Sequence, residues 1–108
     1  MTSPGLAERS LLLHGLGLTN VAVARAAVAH GVAVVASDDS SPDSASTLAD
    51  DLGIEVVLGP SAGQLDALVA GVDAVVPAPG LPETHPLFAA AAAHDRPVLS
   101  EFDLAGAW

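Results

Sequence analysis

Cysteine is absent from this chain, so neither a disulfide framework nor a thiolate metal site can form. Positive charge is nearly absent as well. Arg9, Arg25 and Arg96 stand against 13 acidic residues, which gives a formal net charge of -10. A surface of that sign repels nucleic acid and anionic membrane alike, so neither is expected as a partner, and any phosphate must be held mainly by backbone amides. The acids are scattered along the chain, as a solubilising surface has them. Although 51% of the residues are hydrophobic, no apolar run reaches the roughly 18 residues that a membrane span needs. The opening residues, with one acid (Glu8) and one base (Arg9), lack the basic-then-apolar plan of a secretory signal. There is no heptad repeat, internal duplication or long low-complexity linker. At 108 residues the chain is expected to be one soluble, cytoplasmic domain spanning 1–108.

What is present is an alternation of apolar runs and helix-forming stretches. After a short, poorly ordered lead-in over residues 1–9, strands are expected over residues 10–14, 32–37, 54–58, 74–76 and 97–100. Helices are expected over residues 19–30, 44–52, 62–70 and 85–94, and residues 101–108 read as the first turns of another. Gly31 and Gly53 stand where helices end. The run Val32-Ala33-Val34-Val35-Ala36 is apolar throughout, as in a strand covered on both faces. Residues 77–82 carry three prolines and read as a loop. Strands that alternate with helices require crossover connections. The fold class is therefore α/β: a three-layer α/β/α domain with a five-stranded parallel sheet of incomplete Rossmann type.

The most informative stretch is Leu11-Leu12-Leu13-His14-Gly15-Leu16-Gly17-Leu18-Thr19-Asn20, an apolar strand that turns through two glycines into a helix. Gly15 permits the tight turn, Gly17 lets a ligand approach the backbone, the amides at the helix start offer partners to a phosphate, and Thr19 adds a hydroxyl. Asn20 stands where the third glycine of a dinucleotide motif would be, so the pattern specifies a nucleotide or phosphate without specifying NAD. Asp38, about 20 residues further on, is placed to accept hydrogen bonds from a ribose hydroxyl or a base N–H. A simple strand–helix turn for the glycines, and a turn or capping acid for Asp38, remain open as alternatives. None of His14, His30, His85 and His94 is near a carboxylate or another histidine at ligand spacing in the sequence. They read as structural, with no metal site. No serine sits in a nucleophile motif, and no catalytic residue is expected.

Together with Ser37-Asp38-Asp39, Leu52-Gly53, Gly59, Pro79-Gly80-Leu81-Pro82, His85-Pro86 and the run from Pro97 to Leu104, the Gly15-Leu16-Gly17-Leu18-Thr19 turn resembles the N-terminal domain of the Mur ligase family. The resemblance runs from about Leu11 through nearly the whole chain, and the leading Gly-Leu-Gly-Leu-Thr with the Pro-Gly loop favours the D-glutamate-adding member of the family. It implies strand order 3-2-1-4-5 and a domain that holds the UDP part of a UDP-sugar peptide during peptidoglycan precursor synthesis. It places Gly15, Gly17, Leu18, Thr19 and Asn20 around the diphosphate, Asp38 and Asp39 at the uracil, and Pro79 and Gly80 on the ribose side. It also implies that the domain itself binds no cofactor. ATP and Mg2+ belong to a central domain and the amino acid to a C-terminal one, and the phosphate loop of that central domain has no counterpart in this sequence, so the chain alone is expected to be inactive. Asn20, Ser40 and Ala78 depart from the family pattern, which has glycine, a basic residue and often serine there. Two other readings fit the same glycines and Asp38: an NAD(P)-binding domain, and a scaffold or regulatory domain that kept the fold without the ligand.

Overall fold

A computed structural model of the chain describes residues 9–107; all but Arg9 of the lead-in expected over residues 1–9, and Trp108 at the end of the expected last helix, lie outside them. Leu11, Leu12 and Leu13 have no exposed surface, and together they make the centre of the sheet. They belong to β1 (Ser10–His14), which pairs in parallel with β2 (Ala33–Asp38) on one side and β4 (Ala74–Pro77) on the other, while β3 (Glu55–Leu58) lies outside β2. The order is β3-β2-β1-β4. Leu12 faces Val35 and Val75 in register, and Leu13 faces Ala36 and Val76.

Side chains alternate across a strand, so β1 feeds two separate cores. Leu11 and Leu13, with Val34, Ala36, Ala74 and Val76, pack beneath α1 (Leu18–Ala29), α2 (Asp43–Leu52) and α5 (Glu101–Ala107), which contribute Val23, Ala24, Ala27, Leu48 and Leu104. Leu12 and Val75 pack on the opposite face with Leu65 and Val69 of α3 (Ala62–Ala70) and Leu87 and Ala91 of α4 (Pro86–Ala93). The helices therefore form two layers with the sheet between them. Burying each leucine of β1 contributes about 1.5–3 kcal/mol. The alanines of α1 and α4 let those helices lie close to the strands.

The sheet has four strands among the described residues and not the five expected from sequence. Pro97-Val98-Leu99-Ser100 does run beside β4 in the place of a fifth strand, but it makes one isolated parallel bridge, Val75 with Val98, carried by Val75 N–H to Pro97 O (3.0 Å) and Leu99 N–H to Val75 O (2.9 Å). Pairing cannot extend backward, because Pro97 has no N–H, nor forward, because Ser100 already caps the next helix. Its Oγ accepts from Asp103 N–H (3.2 Å) while the Asp103 carboxylate accepts from Ser100 N–H (2.8 Å). A smaller correction concerns Pro77, expected in the loop, which is the last residue of β4 and pairs with His14. A missing donor is tolerated at a strand end.

Candidate functional site

The carboxyl ends of β1, β2 and β4 meet at one rim of the sheet, and the chain reverses its direction of sheet growth between β1 and β4, where parallel α/β folds open a crevice. Gly15 makes the turn there with φ +93, and its N–H donates to Ser37 O at 2.8 Å. A Cβ at this position would stand 2.6 Å from the Cβ of Ala78, so glycine is required both by conformation and by space. Gly17 is different. It occupies the N-cap of α1 in an extended conformation that any residue can adopt, and a Cβ added there would meet no protein atom within 4 Å. No side chain caps α1, which leaves its first-turn amides without a side-chain partner. Leu18, the first residue of the helix, is 92% exposed.

Asn20 explains how the third glycine of the motif can be dispensed with. Its side chain is 1% exposed, and Nδ2 donates toward His14 O (3.3 Å), Gly15 O (3.0 Å) and Val76 O (3.2 Å), tying the end of β1 to the end of β4. The amide nitrogen of this expected ligand contact is thus committed to the backbone. Thr19, Asn20 and Pro79 line a cavity of about 320 Å³ whose far wall is the start of α5, with Val98, Glu101 and Phe102. Gly80 follows Pro79 with φ +87 and open space around its α-carbon. The run from Pro97 to Leu104 contributes to the family resemblance, but the sequence reading assigned none of its residues to the site.

Asp38 and Asp39 sit on the other side of the glycine turn. Asp38 Oδ2 accepts from Leu16 N–H at 2.7 Å, and its Oδ1 accepts from Ser40 N–H and Ser40 Oγ–H, both at 2.8 Å. The residue at the N-cap of α2 is Pro42, so Asp38 braces the glycine turn and does not cap the helix. Ser44 adds a second brace by donating from Oγ to Leu16 O (3.0 Å). Partial burial acts most strongly on the Asp38 carboxyl and opposes its charge, but the hydrogen bonds from Leu16 and Ser40, with His14 nearby, together outweigh burial and hold the carboxyl below its usual range.

The histidine reading needs correction. His14, His85 and His94 pair with carboxylates once the chain is folded. His14 Nε2 lies 3.2 Å and His85 Nε2 2.7 Å from the same Asp39 Oδ2, and His94 Nε2 lies 3.0 Å from Asp66 Oδ1. The His14 and His85 rings are tilted against each other with centroids 4.7 Å apart. The hydrogen bond to His85, opposed by some burial and aided by His14, draws the Asp39 carboxyl below its usual range. Sequence spacing hides this cluster because Asp39 and His85 are 46 positions apart. Topology could have found it. His14 ends β1, Asp39 follows β2 and His85 precedes α4, so all three lie at the same rim of a parallel sheet.

No family model matches the chain. Curated relatives do. The UDP-N-acetylmuramoylalanine–D-glutamate ligase of Syntrophus aciditrophicus is 38% identical over 104 residues, covering 93% of this chain and 22% of the relative. Among solved structures, UDP-N-acetylmuramate:L-alanyl-gamma-D-glutamyl-meso-diaminopimelate ligase from Neisseria meningitides superposes with a TM-score of 0.70 at 26% identity, over 88% of this chain and 29% of that one. Saccharopine dehydrogenase from Saccharomyces cerevisiae reaches the same TM-score, 0.70, at 21% identity over 85% of this chain and 21% of its own, a likeness of fold alone. The chain spans about 22% of the length of the ligases it matches. With identities of 31–38% over nearly all of its length, it is homologous to the N-terminal part of the UDP-N-acetylmuramoylalanine–D-glutamate ligases.

Proposed function

We propose that this chain is a cytoplasmic UDP-recognition module: the N-terminal, substrate-holding part of a ligase that adds D-glutamate to UDP-N-acetylmuramoyl-L-alanine on the way to peptidoglycan. The observation that carries the reading is the unfilled space at Gly17 in front of the uncapped start of α1, in a chain homologous to that ligase. A diphosphate set there meets the first-turn amides and the Thr19 hydroxyl, with the positive end of the helix dipole behind them. That matters in a chain of net charge -10. Leu18, Asp38 and Asp39 then face the uridine, while Asn20, Pro79 and Gly80 border the ribose and the cavity toward α5. The residues at hand do not fit ATP and Mg2+. The sequence contains no lysine to reach a phosphate chain, and the nitrogen-rich cluster at Asp39 is the wrong donor set for Mg2+. Those ligands belong with the rest of the proposed parent enzyme.

Chemical-shift mapping with UDP and with NAD is the test. UDP should shift residues 15–20, 38–40 and 78–81, and Gly17→Val should erase those shifts while leaving the rest of the spectrum in place. If NAD moves the same residues at lower concentration than UDP does, the chain is a dinucleotide-binding domain instead.

A further inference from the structure

From the convergence of His14, Asp39 and His85 we propose that this chain binds a single zinc-type transition-metal ion at the rim of the sheet. His14 Nε2, His85 Nε2 and the Asp39 carboxylate oxygen all lie within 4.8 Å of one another. Two imidazoles and one carboxylate are the ligand set of open tetrahedral zinc sites, in which a water or a ligand atom takes the fourth position. Asp39, 59% exposed, leaves that position open to solvent, whereas His14 is 1% exposed and held rigidly. Behind His14, Ser37 Oγ lies 2.7 Å from Nδ1, where it can accept from Nδ1–H and fix the ring with Nε2 turned to the metal, as the outer partner of a metal-bound histidine does. A cation here would also supply positive charge beside the glycine turn of a chain whose formal net charge is -10.

The proton inventory makes the site testable. His85 Nδ1 accepts a hydrogen bond from Leu87 N–H at 3.0 Å at the start of α4, so without metal its single ring proton sits on Nε2 and points to Asp39. When a metal takes the Nε2 lone pair, that proton moves to Nδ1, no proton leaves the ring, and the bond from Leu87 opens. On His14 the same shift places the proton toward Ser37 Oγ, which accepts it.

The experiment is a calorimetric titration of the 108-residue chain with Zn2+ and no nucleotide, alongside Co2+ as a coloured substitute. One Zn2+ should bind per chain, Co2+ should develop the intense visible bands of tetrahedral coordination, and the Leu87 amide resonance should move as the site fills. Asp39→Asn and His85→Asn should each weaken Zn2+ by at least about tenfold. The asparagine in place of His85 can still cap α4, so that variant is expected to fold. The proposal is overturned if the wild-type chain takes up no Zn2+, if both folded variants bind it as the wild type does, or if the Leu87 amide stays fixed at saturation. Because no nucleotide is present, this result is independent of whether UDP binds.

Discussion

At the scale of single residues, the two glycines of the turn have separable duties. Gly15→Ala forces a methyl against Ala78 and a side chain into positive φ, and it should cost about 2–3 kcal/mol in urea unfolding. Gly17→Val meets no protein atom and should cost no more than about 1 kcal/mol while removing UDP binding. Asp38 has a double role. Because it holds Leu16 N–H and Ser40, Asp38→Ala should lower the stability of the ligand-free chain by about 1–2 kcal/mol in addition to weakening UDP. Asp38→Asn, which keeps an acceptor for Leu16, should recover part of the stability, and comparing denaturation with titration for the two variants separates bracing from ligand contact. The pH dependence follows from the same contacts. The Asp38 and Asp39 carboxyls both have folded pKa values below the unfolded 3.8, so the unfolded chain binds more protons. Their contribution is fully present well above 3.8 and is lost as the pH falls through it toward the folded values. Urea midpoints should drop in acid, and less steeply in Asp38→Asn.

The elements were legible in the sequence wherever a local signal governed them. The α3 boundaries matched because Ser61 and Gln64 form a reciprocal cap, Ser61 Oγ accepting from Gln64 N–H at 3.1 Å and Gln64 Oε1 accepting from Ser61 N–H at 2.8 Å. Ser61→Ala should therefore cost about 1 kcal/mol and fray that helix, as amide exchange over residues 62–65 would report. The expected fifth strand failed for a reason that β-propensity does not record. Val98 and Leu99 suit a strand, but Pro97 and the Ser100–Asp103 cap leave room for only one bridge. Similarly, the glycine turn was readable from spacing alone, whereas the braces on it from Asp38 and Ser44, and the stitch from Asn20, depend on which strands become neighbours.

For the whole molecule, the parallel sheet and the two-layer cover followed from alternation and the strand order from the family resemblance, while the histidine cluster and the α5 wall of the cavity emerged only when remote segments were brought to one rim. A phosphate-release assay on this chain with ATP and both proposed ligase substrates should stay at background, since the sequence contains no lysine to reach a γ-phosphate. The same topology has a consequence for how the chain is made. Among the described strands β1 comes first in the chain, and it lies inside the finished sheet. Its neighbour β2 follows soon, but the other flank waits for β4, and Arg9 N–H reaches Asp73 Oδ2 across a sequence separation of 64. Throughout that interval of synthesis, a strand of three adjacent leucines presents an unpaired edge and half-covered faces. Completion of the sheet therefore depends on contacts that close across long sequence separations, which slows folding.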